Sequence, residues 1–570
     1  MVCSLALVLS VFRMVVIPVQ FEDVSFSCGT DVLAAKVAEA ERYFCDQPTG
    51  YDGFEFDLAP VVTLGNEVSY YGTNYSDRRD ALLHEAVRQA CTASRNAVDF
   101  ASYDNDGDSE VDNIFILFAG PSESDGAGAE YIWPQHGTLR ENGGALTIGG
   151  VQVNSFSVCT ELSTDSGANP RQAGTGIFCH EFGHYLGLPD FYDSDGDGSG
   201  GISSGLWGTG LMDKGCMAED GVSPPNFSAL DLDILGTGDC RQLAPGSTVL
   251  QPIDAGRTYL KLPNPDDERE YFLLECRRDE GWDSLIGGSG LVIYHVDKSD
   301  TDAGYSDYFK TDMSAAQRWE NNQINCAPGY ECAEPVSVTY LPDGSGSIFL
   351  PCGDSDTFGL DGGASFTFHS GYRSTMVLHD IRLQDDGSVS FNVIEPIAIT
   401  GGTAYQDAVR VNWTTDDAIR GLGNYRVVWN GGGSEGVVEL PSGSRSCTIE
   451  GLSPQTTYSV SVSVILDNAS YTASTTLTTR FRSGTTYPFI YLESEDSRRN
   501  ADGSFIYGSR IPLRLFNVSR PYSVEWYFNG IRAETDPDGL FVITEAGTLR
   551  AEVTFDDGER LTIIKEIVLK

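Results

Sequence analysis

Basic residues are scarce in this 570-residue chain. Only 37 lysines and arginines stand against 82 aspartates and glutamates, a formal charge of −45. A surface of that sign repels phosphate backbones and anionic lipid, so neither nucleic acid nor membrane insertion is expected. No CxxC pair occurs among the thirteen cysteines, so spacing offers no thiolate metal site. Their number is odd, which leaves at least one thiol unpaired. Cys326 and Cys332 in "CAPGYEC" either close a small loop in an oxidising compartment or stay reduced. Beyond the N-terminus no run is long and apolar enough to span a membrane. The opening "MVCSLALVLSVFR" has no basic residue ahead of its apolar stretch and no clear cleavage site. It reads either as a truncated or mis-started export signal or as part of the fold.

The length suggests several domains. Glycine is abundant, at 63 residues, and breaks many short β-branched runs, the pattern of β-rich domains with long loops. Residues 14–236 alternate strands such as "VVIPVQF" and "VDNIFILFAG" with helical stretches such as "DVLAAKVAEAERYF" and "DRRDALLHEAVRQACTASR". Over 237–393 the helical signal fades and strands such as "YFLLECR" and "GLVIYHVD" dominate. Residues 394–482 read as a small β-sandwich whose "GLSPQTTYSVSV" resembles the end of a fibronectin type III module, with Trp413 and Tyr458 in its core. Residues 483–570 resemble an immunoglobulin-like sandwich around Trp526. The fold class expected is α+β, followed by two β-sandwiches.

The chain has seven histidines, and two of them lie in "GIFCHEFGHYLGLPDFYD". His180 and His184 stand at i and i+4, which on a helix puts both imidazoles on one face, close enough to share an ion. Neutral imidazole is a good zinc ligand. Glu181 points slightly off that axis, where it can hold the metal's water and accept its proton. A catalytic zinc usually takes three protein ligands. Gly187 lets the chain leave the helix, and Asp190 then lies where the returning chain can meet the ion. HExxH alone arises by chance in about one in a hundred chains of this length, and the added Gly and Asp lower that by roughly several hundredfold. Downstream, "GLWGTGLMDKG" is a glycine-rich turn carrying Met212. In metzincin peptidases a methionine turn forms an apolar floor beneath the zinc ligands.

These stretches, with "SPPNFSALDLDILG", resemble the immune-inhibitor-A-type metallopeptidases, secreted bacterial zinc enzymes. The likeness extends to "YFCDQPTGYDGFEFDLAPVVTLGNEVSYYG", "YDNDGDSEVDNIFILFAGP", "YIWPQHGTL" and "WENNQIN", and covers about residues 14–340. It implies a metzincin-like catalytic domain over 14–236, completed by the β-rich 237–393. It also implies a secreted or cell-surface zinc endopeptidase acting on proteins or glycoproteins. His180 and His184 are carried over as ligands, Glu181 as general base and Asp190 as third ligand, with Asp193 or a residue distant in sequence as the alternative third. Cys179 is expected to be core. His136 and His295, in family-like segments, are more often structural than catalytic. No propeptide is evident ahead of the catalytic region.

Two acidic loops suggest supporting calcium. "DNDGDSEVD" sets Asp104, Asp106, Asp108 and Asp112 at calcium-loop positions, although Ser109 replaces the usual glycine. "DSDGDG" repeats the spacing with Asp193, Asp195 and Asp197. A solvated surface loop is the plainer alternative for both. The tail modules read as spacers or as arms for a surface or glycan ligand, and a monomer is expected. The competing reading of the whole is an inactive adhesive protein on a peptidase scaffold; the intact general base argues against it.

Overall fold

The computed structural model describes residues 11–75, 78–164, 170–340, 346–353, 355–360, 363–416, 419–466, 470–480, 488–492, 500, 504–518, 520–556 and 558–570. Most of the apolar opening, and the expected 482/483 boundary, lie outside these. The chain divides into two compact units. One comprises Met1–Leu243, Thr248–Asp356 and Ile381–Phe391, the other Ala244–Ser247, Thr357–Asp380 and Asn392–Lys570.

In the first unit, "FRMVVIPVQ" forms β1 (Phe12–Gln20). Its residues alternate between two cores, with Met14 and Val16 in one and Val15, Ile17 and Val19 in the other. Such a strand must be apolar throughout, because both faces of its sheet are covered. Around it stand β2 (Phe54–Leu58), β3 (Val62–Thr63), β4 (Ile114–Phe118), β5 (Gln135–Thr138) and β6 (Ser155–Thr160), in the order β2-β1-β4-β6-β5, with β3 also on β1. All pairs are parallel except β5 with β6. Helix α1 (Thr30–Asp46) buries Leu33, Val37, Tyr43 and Phe44 against one face. Helix α2 (Leu83–Ser94) buries Leu83, Val87 and Ala90 against the other.

The sequence suggests an earlier start for α2. Asp80 prevents it: its backbone is left-handed (φ 44°), and its buried carboxylate accepts from Trp133 N at 3.0 Å and Gln135 Nε2 at 2.9 Å. Helix α3 (Gly176–Leu186) carries the histidines and lies on the same face as α1, burying Phe178, Cys179 and Phe182. Its end is set by Gly187, whose φ of 105° is open to glycine without steric cost. Helix α4 (Ala229–Leu235) begins with a capping box between Ser228 and Asp231.

A second sheet follows, built from β7 (Asp239–Gln242), β8 (Thr258–Pro263), β9 (Glu270–Arg277), β10 (Gly290–Asp297) and β11 (Ala333–Pro335), in chain order. One of its two buried faces joins the core around α3. Tyr271, Leu273, Val292 and Tyr294 belong to the same cluster as Phe182 and Met212. A fully buried guanidinium pins the two regions together. Arg277 donates to Thr209 O at 3.2 Å and Asn226 O at 3.3 Å, and it pairs with Asp283 at 2.6 Å and Glu275 at 3.1 Å. Cys326 and Cys332 are both buried and unbonded.

The second unit contains the sandwich expected from "GLSPQTTYSVSV". One sheet is β12 (Ile397–Ala404), β13 (Ala408–Thr415) and then, across the sandwich, β14 (Asn424–Gly431) and β15 (Ser434–Leu440) open the other. The first sheet continues with β16 (Ser446–Glu450), and the second with β17 (Thr457–Ile465) and β18 (Ser470–Thr478). Trp413 and Tyr458 are buried between them. The C-terminal segment supplies β19 (Tyr522–Phe528), β20 (Ile531–Arg532), β21 (Gly547–Phe555) and β22 (Arg560–Ile567). These do not form a detached sheet, which the sequence reading did not anticipate. Strand β22 pairs in parallel with β16, Ile449 opposite Ile564, so seven strands run β12-β13-β16-β22-β21-β19-β20. Ile564 enters the core around Trp413, and Trp526 packs against a separate cluster around Ile563 and Leu549.

Replacing Arg277 by Met would leave Asp283 and Glu275 buried without their cation. The expected cost is ~3–5 kcal/mol in urea unfolding. A loss indistinguishable from zero would show that the network holds nothing together.

Candidate metal centre and its cleft

Helical spacing brings His180 and His184 onto one face of α3, with ring centroids 4.8 Å apart at 86°. Past Gly187, the chain turns back and places Asp190 Oδ1 3.1 Å from His180 Nε2 and 3.3 Å from His184 Nε2. Each imidazole is oriented from behind. His180 Nδ1 lies 3.1 Å from Leu211 O, and His184 Nδ1 2.9 Å from Leu188 O. A carbonyl oxygen only accepts, so each Nδ1 carries the proton and each neutral ring turns an Nε2 lone pair toward Asp190. Asp190 Oδ1 is buried and receives no hydrogen bond. Two nitrogen lone pairs and an anionic oxygen thus face one another, an arrangement that a divalent cation would offset. Two imidazoles and a carboxylate are a donor set that suits zinc.

The other half of Asp190 is fixed by Asn322. Its Nδ2 donates to Asp190 Oδ2 at 2.7 Å, and its Oδ1 accepts from Asp190 N at 2.8 Å. Met212 lies beneath: its sulfur would be 2.7 Å from a Cβ placed at Gly183, so any side chain there would displace the methionine. The same turn offers Leu211 O to His180 and Met212 O to Phe191 N at 2.8 Å, tying the first ligand to the returning chain.

Glu181 is 5% exposed, and its Oε2 has no hydrogen-bond partner. Burial pushes its carboxyl up to about 7, with His180 and His184 opposing the shift. These groups lie at an open cleft of about 620 Å³, whose walls include Arg79, Trp133, His136, Tyr192 and Trp319. Arg79 stacks over the Trp133 ring at 3.8 Å. His136 Nδ1 is 3.1 Å from Ser157 Oγ, which itself donates to Glu181 O at 2.9 Å. Burial, and then His184, hold His136 down at about 4. His295 stands elsewhere, against Glu270 at 2.9 Å and stacked on Phe272. Cys179 is buried in the core.

The acidic loops divide. Oxygens of Asp104, Asp106 and Asp108 lie within 4.8 Å of one another. They also accept from their own loop: Asp104 takes Gly107 N, Asp108 N and Ser109 N. Ser109 adopts the left-handed φ of 72° at the position where glycine is usual. Asp112 stands apart, accepting from Asn105 N at 2.6 Å and from Tyr185 OH at 3.2 Å. Downstream, Asp193 and Asp195 group with Cys326, and Asp197 is exposed outside that group. Asp193 is therefore not beside the histidines. Sequence reasoning did not single out Asn322, Tyr192, Arg79 or Trp133. The block "WENNQIN" was visible, but nothing local marks which asparagine reaches a ligand.

Residues 18–235 match the family model described as the catalytic domain of immune inhibitor A peptidase M6. The chain carries a peptidase M6 catalytic domain. Residues 396–480 match the fibronectin type III domain. Immune inhibitor A of Bacillus thuringiensis subsp. alesti is 24% identical over 223 residues, covering 34% of this chain and 31% of that protein. Pre-pro-metalloprotease PrtV of Vibrio cholerae serotype O1 is 28% identical over 169 residues, covering 24% of this chain and 18% of that protein. The chain thus aligns with under a third of each relative's length. Among solved structures, the fn3 domain of human collagen alpha-1(XX) is 25% identical, covers 16% of this chain and 84% of its own, and has a TM-score of 0.14. The peptidase M6 match ends before Asn322, so that residue reaches Asp190 from outside the matched segment.

Asn322→Ala should weaken metal retention ~10–100-fold, the usual effect of removing a group that orients a ligand. Competition against a chelator measures this, and unchanged retention would remove Asn322 from the site.

Proposed function

We propose that the chain is an exported zinc-dependent endopeptidase that hydrolyses proteins or glycoproteins. The observation that carries this reading is the convergence of His180 Nε2, His184 Nε2 and the unpartnered Asp190 Oδ1 within 4.8 Å, on a cleft that also holds the unpartnered Glu181 Oε2. His180, His184 and Asp190 would hold the metal. Zinc, when bound, acts as a Lewis acid on the scissile carbonyl and acidifies water. Glu181 accepts the proton of the attacking water and returns it to the leaving amine. Its other neighbours leave that oxygen unbonded, which suits a group that must take and give a proton. The cleft is open, as an extended polypeptide requires. The peptidase M6 match and the metalloprotease named among the relatives support the class, and the "pre-pro" form of that relative's name is in keeping with export. The fibronectin-type tail is read as a binding arm for a surface or glycan ligand, on a monomeric enzyme.

Calcium is read as a supporting ion at Asp104, Asp106 and Asp108, with a second site at Asp193 and Asp195. The first loop is wired to the catalytic helix. Asn105 bonds Arg13 N at 2.7 Å and Asp112 at 3.0 Å, and Asp112 accepts from Tyr185 on α3.

Glu181→Gln should keep zinc and the fold while lowering turnover of casein by ~10²–10⁴-fold. A fully active Glu181→Gln enzyme would displace Glu181 from its role, and a wild-type protein without zinc or cleavage would overturn the peptidase reading. Calcium chelation at fixed zinc should lower the melting temperature, since an ion at a hundredfold excess over its dissociation constant contributes ~2.7 kcal/mol. Joint Asp106→Ala and Asp108→Ala replacement should make the melting curve indifferent to calcium. A wild-type curve unmoved by calcium would leave the loop a solvated surface.

A further inference from the structure

Beside the cleft lies a second, smaller cavity of about 130 Å³ whose wall includes Lys36, Ser122, Ser163, Thr164, Ile177 and Met217. Pro134 lines both spaces. Ile177 is four residues before Glu181 on α3, so the two side chains share a helix face one turn apart. A polypeptide lying across Glu181 would therefore present a flanking side chain to this cavity.

The cavity's chemistry is set by Lys36. It is the only basic side chain among the described residues that line it. An ammonium offers three donors; among the described residues Lys36 Nζ has a single acceptor, Thr160 O at a long 3.3 Å. Among the described residues no carboxylate forms an ion pair with it. Glu161, just past β6, is held as an anion by Ser27 N at 2.8 Å, Ser27 Oγ at 2.7 Å and Gln172 Nε2 at 2.9 Å, so it acts on Lys36 through space without forming an ion pair with it. Two carboxylates share the cavity wall, and neither forms an ion pair with Lys36. Asp220 pairs with Arg171 at 2.9 Å, and Asp125 Oδ2 accepts from Thr164 N at 3.3 Å. Cys28, Cys159 and Cys179 also face the lysine, and burial holds the first two thiols at about 11 and about 12 and the third above its ordinary range, so none supplies a counter-charge. Burial pulls Lys36 itself below the ordinary lysine value. A guest carboxylate would reverse that desolvation. An apolar guest would deepen it, and a basic guest would meet like charge.

We propose that this cavity receives an aspartate or glutamate side chain of the substrate next to the scissile bond, and that Lys36 is the residue that selects it. The proposal rests on the peptidase reading above and deepens it.

The test uses the full-length, zinc-loaded protein and peptide pairs that differ only by Glu against Gln at one position flanking the bond cut. At one such position the wild type should favour Glu by roughly ten- to a hundredfold in kcat/KM, the range of a hydrogen bond to a charged group. Lys36→Met should bring that ratio to about one while cleavage of the Gln peptide persists, and Lys36→Glu should shift the preference to Lys. Ser163→Asp, which places a carboxylate in the cavity, should lower the Glu preference without touching Lys36. A wild type that shows no acidic preference at any position overturns the proposal even if every variant fails to fold. So does a Lys36→Met enzyme that keeps the preference. A wild type that cuts no peptide at all overturns the peptidase reading instead.

Discussion

Two imidazole nitrogens and a carboxylate oxygen are pressed together with their lone pairs toward one another, and much of the first unit exists to keep them there. None of the three is free to relax. His180 is held by the carbonyl of Leu211, His184 by that of Leu188, and Asp190 by both ends of one asparagine amide. Restraint of this kind costs conformational freedom and electrostatic energy without a cation, and both would be recovered on binding one. The methionine turn, the left-handed Gly187 and the missing Cβ at Gly183 are parts of the same restraint.

How far the sequence reveals this depends on distance along the chain. The ligand helix is legible because its information is local: a period of 3.6 puts His180 and His184 on one face, and Gly187 announces the turn. Asp190 follows from the same short stretch. The strands of the first sheet are legible as apolar runs because they are covered on both sides. What is not legible is carried by contacts between distant residues. Asn322 reaches Asp190 across 132 positions. Arg277 holds Thr209 across 68. Lys36 sits on α1 and reads as an ordinary solvated helix charge until the chain end of β6 is seen beneath it. The late start of α2 belongs with these, since Asp80 is drawn away by Trp133 and Gln135.

The composition shift near residue 236 is real, but it marks a change of secondary structure across a core that both segments share. Strands β9 and β10 bury Tyr271, Leu273, Val292 and Tyr294 in the cluster that holds α3 and the methionine turn, while Phe272, Leu274 and Ile293 are buried on the opposite face. The Arg277 guanidinium, with donors into two backbone carbonyls of the catalytic segment, fixes the height of that turn. A buried cation surrounded by two carboxylates gives little net stability compared with an apolar replacement of the whole set, yet it tolerates only one geometry. That is a sensible trade where a turn must lie at a fixed depth beneath a ligand.

The parallel pairing of β16 with β22 has a consequence for biosynthesis. A ribosome delivers β16 well before β22, so the fibronectin-type sandwich first emerges with one border of its sheet unsatisfied. An unpaired border is a template for any strand that meets it, including one from a neighbouring nascent chain. The native partner at Ile563 and Ile564 arrives only near the end of synthesis, and until then the sandwich also lacks Ile564 from its interior. The final strand therefore acts as a latch, and the interval before it closes is when nascent chains are most exposed to one another.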